Sequence, residues 1–293
     1  MSKQRKKNVP NAPLNAATLR GLVERALSAQ GTHFPSDLDM RLGQEFVDDA
    51  ARASTPKSAL RSLRKALEVD PTNTEALLGI LAEAGLQGDA HIQALRGIVA
   101  LAAERLGKDA FEEMKPHFWG FVETRPYMRA RARLAYFLRI AGRLEEAAAE
   151  YREMLILSED DNLDVRYELV AILLALGHLA ETRSVMQRYR EECDWDIVFT
   201  WCGVLERLLS SDETGAAHAL TVARASSISM EAYLKGRRAV PASTPASYVV
   251  GSEEHAICYA PILLLAWRAH PDALNWLLRQ ADPPEMHLGE ESE

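Results

Sequence analysis

Three observations predict an all-α fold built from stacked helix–turn–helix repeats. Leu134, Leu169 and Val204 are spaced 35 residues apart, and so are the small residues Ala147, Thr182 and Ala217. Gly142, Gly177 and Asp212 keep the same period at points where one helical stretch gives way to the next. The apolar residues between these points recur at the three-to-four spacing of a helix face. A period of about 34 residues marks hairpins that cannot bury their apolar faces alone and stack to share a continuous core. The expected architecture is an α-solenoid with a helical C-terminal cap.

Of 293 residues, 47% are hydrophobic, enough for a sizeable core. Residues 1–13 mix Lys, Arg, Asn and Pro and have too little apolar surface to offset ordering entropy, so a disordered basic tail is expected. The solenoid is predicted over 14–228. Leu19, Leu22, Val23 and Leu27 make a first amphipathic helix, with Gly31 as its stop. Residues 40–70 read as a repeat whose second helix is 57–69, because Ala59, Leu63, Ala66 and Pro71 alternate small, large, small and helix-ending residues. Helices are expected at 74–84 and 90–106, where Ala94 falls 35 residues after Ala59.

From Ala94 to Ala147 the spacing is 53 residues, one period plus 18. The surplus lies near 107–125 and carries Phe118, Trp119 and Phe121; it is either a binding loop or an added helix packing its aromatics on its neighbours. Three regular hairpins follow. Glycine suits their turns because a tight helix-to-helix connection often requires a left-handed backbone. Beyond Ile228 the rhythm stops. Residues 229–281 are expected as the cap, with helices at 252–270 and 271–279, and 282–293 as a frayed acidic tail.

A net charge of -8 and a pI near 5.6 exclude a broad basic face for nucleic acid or anionic membrane and leave such contact to the N-terminal tail. The first ten residues lack the apolar stretch of a secretory signal, and residues 259–267 are about half the ~20 residues a bilayer requires, so a cytoplasmic protein without a membrane span is expected. Cys193, Cys202 and Cys258 lack the pairing pattern of a disulfide framework or zinc site. Glu145 and Glu146 open a helix, where acids favour its positive end, and Glu159–Asp161 mark a turn, so neither group reads as a metal site. No phosphate-binding, metal-protease or redox motif is present, and neither a catalytic residue, a metal nor a cofactor is predicted. His255 and Cys258 stand three apart on a helix and can meet, but an alanine- and leucine-rich capping helix more often buries such a cysteine as a small apolar residue.

The hairpins match the tetratricopeptide pattern, in which the first helix of each unit lines a concave groove. Counted from Leu134, the groove positions are Arg129, Ala132, Tyr136 and Arg139; counted from Leu169, they are Asp164, Tyr167, Ala171 and Leu174. Arg129, Tyr136, Arg139 and Tyr167 would offer guanidinium groups beside phenols, suited to carboxylate or phosphate on a peptide. The arginines of this stretch can instead pair with Glu123, Glu150 or Glu168. Ala132, Tyr136, Asp164 and Glu168 replace the Lys, Asn and Arg set with which some tetratricopeptide domains clamp a chaperone C-terminus, so that clamp is not expected.

From about residue 129 to 277 the chain also resembles the suppressor of tumorigenicity 7 family. The resemblance is carried by RARARLAYFLRIAGRLEEAA, by ELVAILLALGHLAETRSVMQRY and chiefly by the C-terminal block, with Tyr233, Leu234, Gly251, Glu254, His255, Ala256, Tyr259, Trp267, Ala273 and Leu274 in the family's order. It implies no catalytic residue. The expected function is a protein-interaction scaffold that binds a peptide or partner protein in its groove. The alternative is an enzyme or small-molecule binder using a pocket between insert and cap, formed by Trp119, Arg125, His255 and Cys258.

Overall fold

The computed structural model describes residues 15–28 and 35–281; both expected tails and the Gly31 stop lie outside them. Every regular element among the described residues is helical, and the chain forms two compact units, 1–163 and 164–293. The first holds α1 (Ala16–Ser28), α2 (Asp37–Ala51), α3 (Pro56–Val69), α4 (Thr74–Glu83), α5 (Gly88–Glu113), α6 (Arg125–Ile140) and α7 (Leu144–Leu157). Hairpins α2/α3 and α6/α7 pack in chain order, and α1 lies against α4 and α5.

Local chemistry fixes the helix starts. Thr55 and Ser58 form a reciprocal capping box with Pro56 in the first turn of α3, and the Asn73 side chain accepts from the Ala76 N–H at 2.9 Å to open α4. Between these helices, Asp70 is fully buried. It accepts from the Thr72 N–H and hydroxyl at 3.0 and 2.7 Å and from Arg105 of α5 at 2.7 Å.

The insert is mostly packing. The helix expected to end at 106 does break there, since Gly107 has φ 77° and ψ 165°, but α5 then continues to Glu113. Two short 3-10 turns follow, Phe118–Gly120 and Val122–Thr124. Phe118 is fully buried, with ring centroids 5.1 Å from Phe111 and 6.1 Å from Tyr127. The segment is pinned to the end of α7 by Glu159 N–H to the Pro116 carbonyl at 2.9 Å and by Trp119 N–H to Ser158 Oγ at 3.3 Å.

The second unit holds α8 (Val165–Leu176), α9 (Leu179–Arg188), α10 (Ile197–Leu209), α11 (Glu213–Ser226), α12 (Ile228–Leu234), α13 (Glu253–Arg268) and α14 (Pro271–Arg279). Gly142 and Gly177 sit in the left-handed region at φ 74° and 76°, two residues before α7 and α9. The third turn departs from the expected period. Its left-handed residue is Ser211, at φ 61°, whereas Asp212 caps α11 by accepting from the Gly215 N–H at 2.8 Å. The turn comes one residue early, so the buried small residue is Ala216 and Ala217 faces solvent.

The expected helical cap does not stand apart from the repeats. Helix α13 packs on α8, α10, α12 and α14, and Trp267 meets Trp201 edge-on at 6.4 Å, both rings fully buried. The second compact unit, 164–293, contains these helices together. The apolar run of α13 supplies Ile262, Leu263, Leu264 and Trp267 to this core, and no helix of the described residues is long and apolar enough to cross a membrane.

Candidate interaction site

In the first unit, α4 and α6 run as neighbours, and the polar residues that α6 presents follow from its sequence. Arg125, Arg129 and Arg133 recur every four residues, so all three lie on one face. The Arg125 Nε–H donates to the Trp119 carbonyl at 3.0 Å, while the Arg125 and Arg129 guanidinium carbons lie 5.6 and 5.4 Å from the Trp119 ring centroid. The insert thus supplies an aromatic plate on which two arginines rest, a cation–π arrangement that limits their rotamers. Arg129 also reaches across to Glu75 in the first turn of α4, at 2.5 Å.

These arginines edge a cavity of about 860 Å³ bounded by α2, the start of α4, α5, the insert and α6. Its lining is mixed: Met40, Leu106, Met114, Val122 and Tyr127 are apolar, while Arg41, Arg105, Arg125 and Arg129 alternate with Asp48, Glu75 and Glu123. Arg105 is held by Asp70 and by Thr72 Oγ1 at 3.0 Å, which fixes its guanidinium on the floor. Sequence reading missed Arg105, Asp70 and Glu75. Their partners lie 33 to 54 residues away, and no local pattern announces such pairings.

Of the predicted groove residues, Arg129 borders this cavity. Tyr136 and Arg139 lie about 10 to 15 Å further along α6 at 1.5 Å per residue. Tyr136 is exposed, with its ring 5.4 Å from Phe137 and 5.1 Å from the Arg139 guanidinium. Tyr167 belongs to the second unit and is buried. Its ring carries the Arg166 guanidinium at 4.3 Å and meets Phe199 and Tyr259 edge-on, and its hydroxyl donates to Glu192 at 2.9 Å while accepting from Arg166 at 2.9 Å. Burial pushes this phenol well above its usual pKa. Ring and hydroxyl are both engaged, which leaves Tyr167 as a packing residue where an open anchor was expected.

The pairing of arginines with nearby acids is real at other positions. Arg131 is clamped by Glu150 at 2.6 Å, and Arg143 by Glu146 at 2.6 Å. Trp119 and Arg125 belong to the first unit, whereas His255 and Cys258 belong to the second. His255 Nδ1 accepts from the Gly251 N–H at 3.1 Å, and its ring stacks on Tyr248 at 4.6 Å. Burial raises the Cys258 thiol pKa, the opposite of what activates a nucleophile. It raises Cys193 to about 11 as well. Among the described residues, no cluster of three His, Cys, Asp or Glu side chains is placed to hold a metal ion. The chain matches no family model, no curated protein and no solved structure.

Proposed function

We propose that the chain is a cytoplasmic protein-interaction module whose hairpins are tetratricopeptide-like repeats of an α-solenoid, and that it belongs with the suppressor of tumorigenicity 7 family on the strength of its C-terminal block. Its binding face is the surface shared by α4 and α6, and its occupant is an extended peptide or partner segment carrying carboxylates beside apolar side chains. The observation that carries this reading is the pair Arg125 and Arg129, steadied on Trp119 at the edge of a cavity whose lining mixes apolar and charged side chains. Arginines that are already ordered lose little entropy on meeting a carboxylate, and their planar donors match it bidentately. The Glu75 partner of Arg129 marks where an incoming acid would exchange for an internal one.

A photo-crosslinking residue at Val122, which is 66% exposed and lines the cavity, should capture the partner in native extract. The captured protein is then titrated against the wild-type chain and the double variant Arg125→Glu, Arg129→Glu. Affinity should fall at least tenfold, as expected when charge-assisted contacts turn repulsive. Unchanged affinity with a folded variant would remove the assignment.

A further inference from the structure

Residues 235–252 join α12 to α13 without regular structure. Among the described residues, no backbone N–H from Ala242 to Val250 donates to a backbone carbonyl, so side chains decide how this segment is held. Its first part is anchored by Val240, which packs against the core of the second unit. Its last part rests chiefly on His255 in the first turn of α13. The Gly251 N–H donates to His255 Nδ1 at 3.1 Å, the Tyr248 ring stacks on the imidazole with centroids 4.6 Å apart, and the Tyr248 and Tyr259 hydroxyls lie 3.3 Å from each other.

The bond from Gly251 fixes the protonation state of the ring. Nδ1 accepts only while its lone pair is free, so the imidazole is neutral with its proton on Nε2. Protonation would set a second donor against the Gly251 N–H and place a charge on a residue only 5% exposed. The nearby charges are otherwise engaged. Glu253 is held by Arg238 at 2.6 Å and by the Tyr233 hydroxyl of α12 at 2.9 Å, and Glu231 and Lys235 of α12 pair with each other. Glu254 is stabilised as a carboxylate by its own backbone and by Ser252, while burial keeps Cys258 a neutral thiol. Tyr259, 5.3 Å from the imidazole, senses Asp164 before α8 and Asp196 before α10, and Arg166 lies over the neighbouring Tyr167. Asp272 and Arg279 of α14 follow the far end of α13, about 20 Å along its axis. Burial governs the ring and lowers its pKa from the ordinary 6.5. A group with a lowered folded pKa of this kind stabilises in its neutral form above that value, and the contribution is lost as pH falls below it.

We infer that residues 241–251 form a strap latched by neutral His255 and released in acid, when the imidazolium expels the Gly251 N–H and Tyr248 lifts from α13. Release bares the Tyr248 and Tyr259 rings beside Val249 and Val250, which are already 76% and 67% exposed. The device lies within the second unit and does not rest on the peptide-binding reading.

The test is NMR of the full chain between pH 7.5 and 4.5, following the His255 imidazole, the Overhauser contacts between the Tyr248 and His255 rings, and exchange of the Gly251 amide corrected for its intrinsic pH dependence. As His255 titrates, the ring contacts should vanish and Gly251 exchange should quicken by about fivefold or more, as expected for the loss of one hydrogen bond. His255→Asn sets an amide oxygen in the place of Nδ1 that accepts but does not titrate, and should keep the Gly251 amide protected across the range. His255→Phe retains a ring for Tyr248 without an acceptor, and should leave that amide unprotected throughout. Far-ultraviolet circular dichroism of both variants should match the wild type. A wild-type Gly251 amide protected equally at both ends of the range, ring contacts that persist once His255 has titrated, or acid release that survives in His255→Asn would each overturn the inference.

Discussion

Glu231 is the most exacting test of how the second unit is held together. Its carboxylate is only 3% exposed and receives Arg224 bidentately at 2.7 and 2.8 Å and Lys235 at 2.7 Å. Removing one member of a buried ionic cluster costs about 3 to 5 kcal/mol, because the remaining charges keep their desolvation penalty without its compensation. Here Lys235 also donates to the Gln280 carbonyl at 3.0 Å and Arg224 to that of Ala281 at 2.6 Å, so the two cations keep partial partners. The lower end, about 3 kcal/mol, is therefore expected for Glu231→Ala. Urea unfolding followed by tryptophan fluorescence reports on this unit, since four of the five tryptophans, Trp195, Trp201, Trp267 and Trp276, lie in it. Burial raises the Glu231 pKa, but the hydrogen bonds from Arg224 and Lys235 outweigh it, and the net shift is downward. A carboxyl with a depressed folded pKa stabilises fully above its unfolded value of 4.5, and that contribution is lost as pH falls through the folded value. The gap between wild type and Glu231→Ala should thus be complete at neutral pH and shrink below pH 4.5. Glu231→Leu combined with Arg224→Met and Lys235→Met should recover more than half of the loss, since apolar replacement of a whole buried ionic cluster is often neutral. A loss under about 1 kcal/mol, or a gap that ignores pH, would refute the assignment of this cluster as a stabilising ionic core.

Other expectations concern backbone and packing. Gly43→Ala would place a Cβ 2.7 Å from the Cβ of buried Asp70, which cannot retreat, so a loss of about 1 to 3 kcal/mol is expected in denaturation despite the helix propensity of alanine. Gly79→Ala meets the side chain of Leu63, its Cδ1 nearest at 2.6 Å, and that flexible tip can rotate away, so the change should be near neutral. Ser211→Gly should raise stability by about 0.5 to 1 kcal/mol, because the left-handed φ of 61° strains a side-chain-bearing residue, whereas Gly177→Ala should lower it by a similar amount; thermal melts read both. His91 has a lowered folded pKa, so its neutral form stabilises above its ordinary 6.5, and that contribution is lost as pH falls below it. His91→Phe should accordingly flatten the decline in stability of the first unit between pH 7 and 5, as measured by chemical denaturation.

The helices were largely legible because their signals are short-range. Apolar spacing and the glycines at 142 and 177 act within one or two turns, and helices α3, α4, α13 and α14 begin within a residue of where the sequence places them. The third turn misled because a period counts residues, not dihedral angles. Asp212 holds the glycine register, yet the chain turns at Ser211, since the aspartate side chain is better used capping α11.

The candidate site was legible only in part, for the same physical reason. That Arg125, Arg129 and Arg133 share a face is a property of the helix, and the sequence alone determined it. Whether each arginine is held, and by what, depends on residues far along the chain: Trp119 of the insert beneath Arg125 and Arg129, Glu75 across from Arg129, Glu150 beside Arg131. Tyr167 occupies a groove position by spacing, but Arg166, Glu192 and Tyr259 close around it. Composition and periodicity thus determined that the chain is helical and where most helices start and stop. Tertiary packing alone decided that α13 shares a core with the repeats, that His91 is buried against Phe137, and which charges are buried in pairs, because burial and pairing are set by whichever surfaces meet.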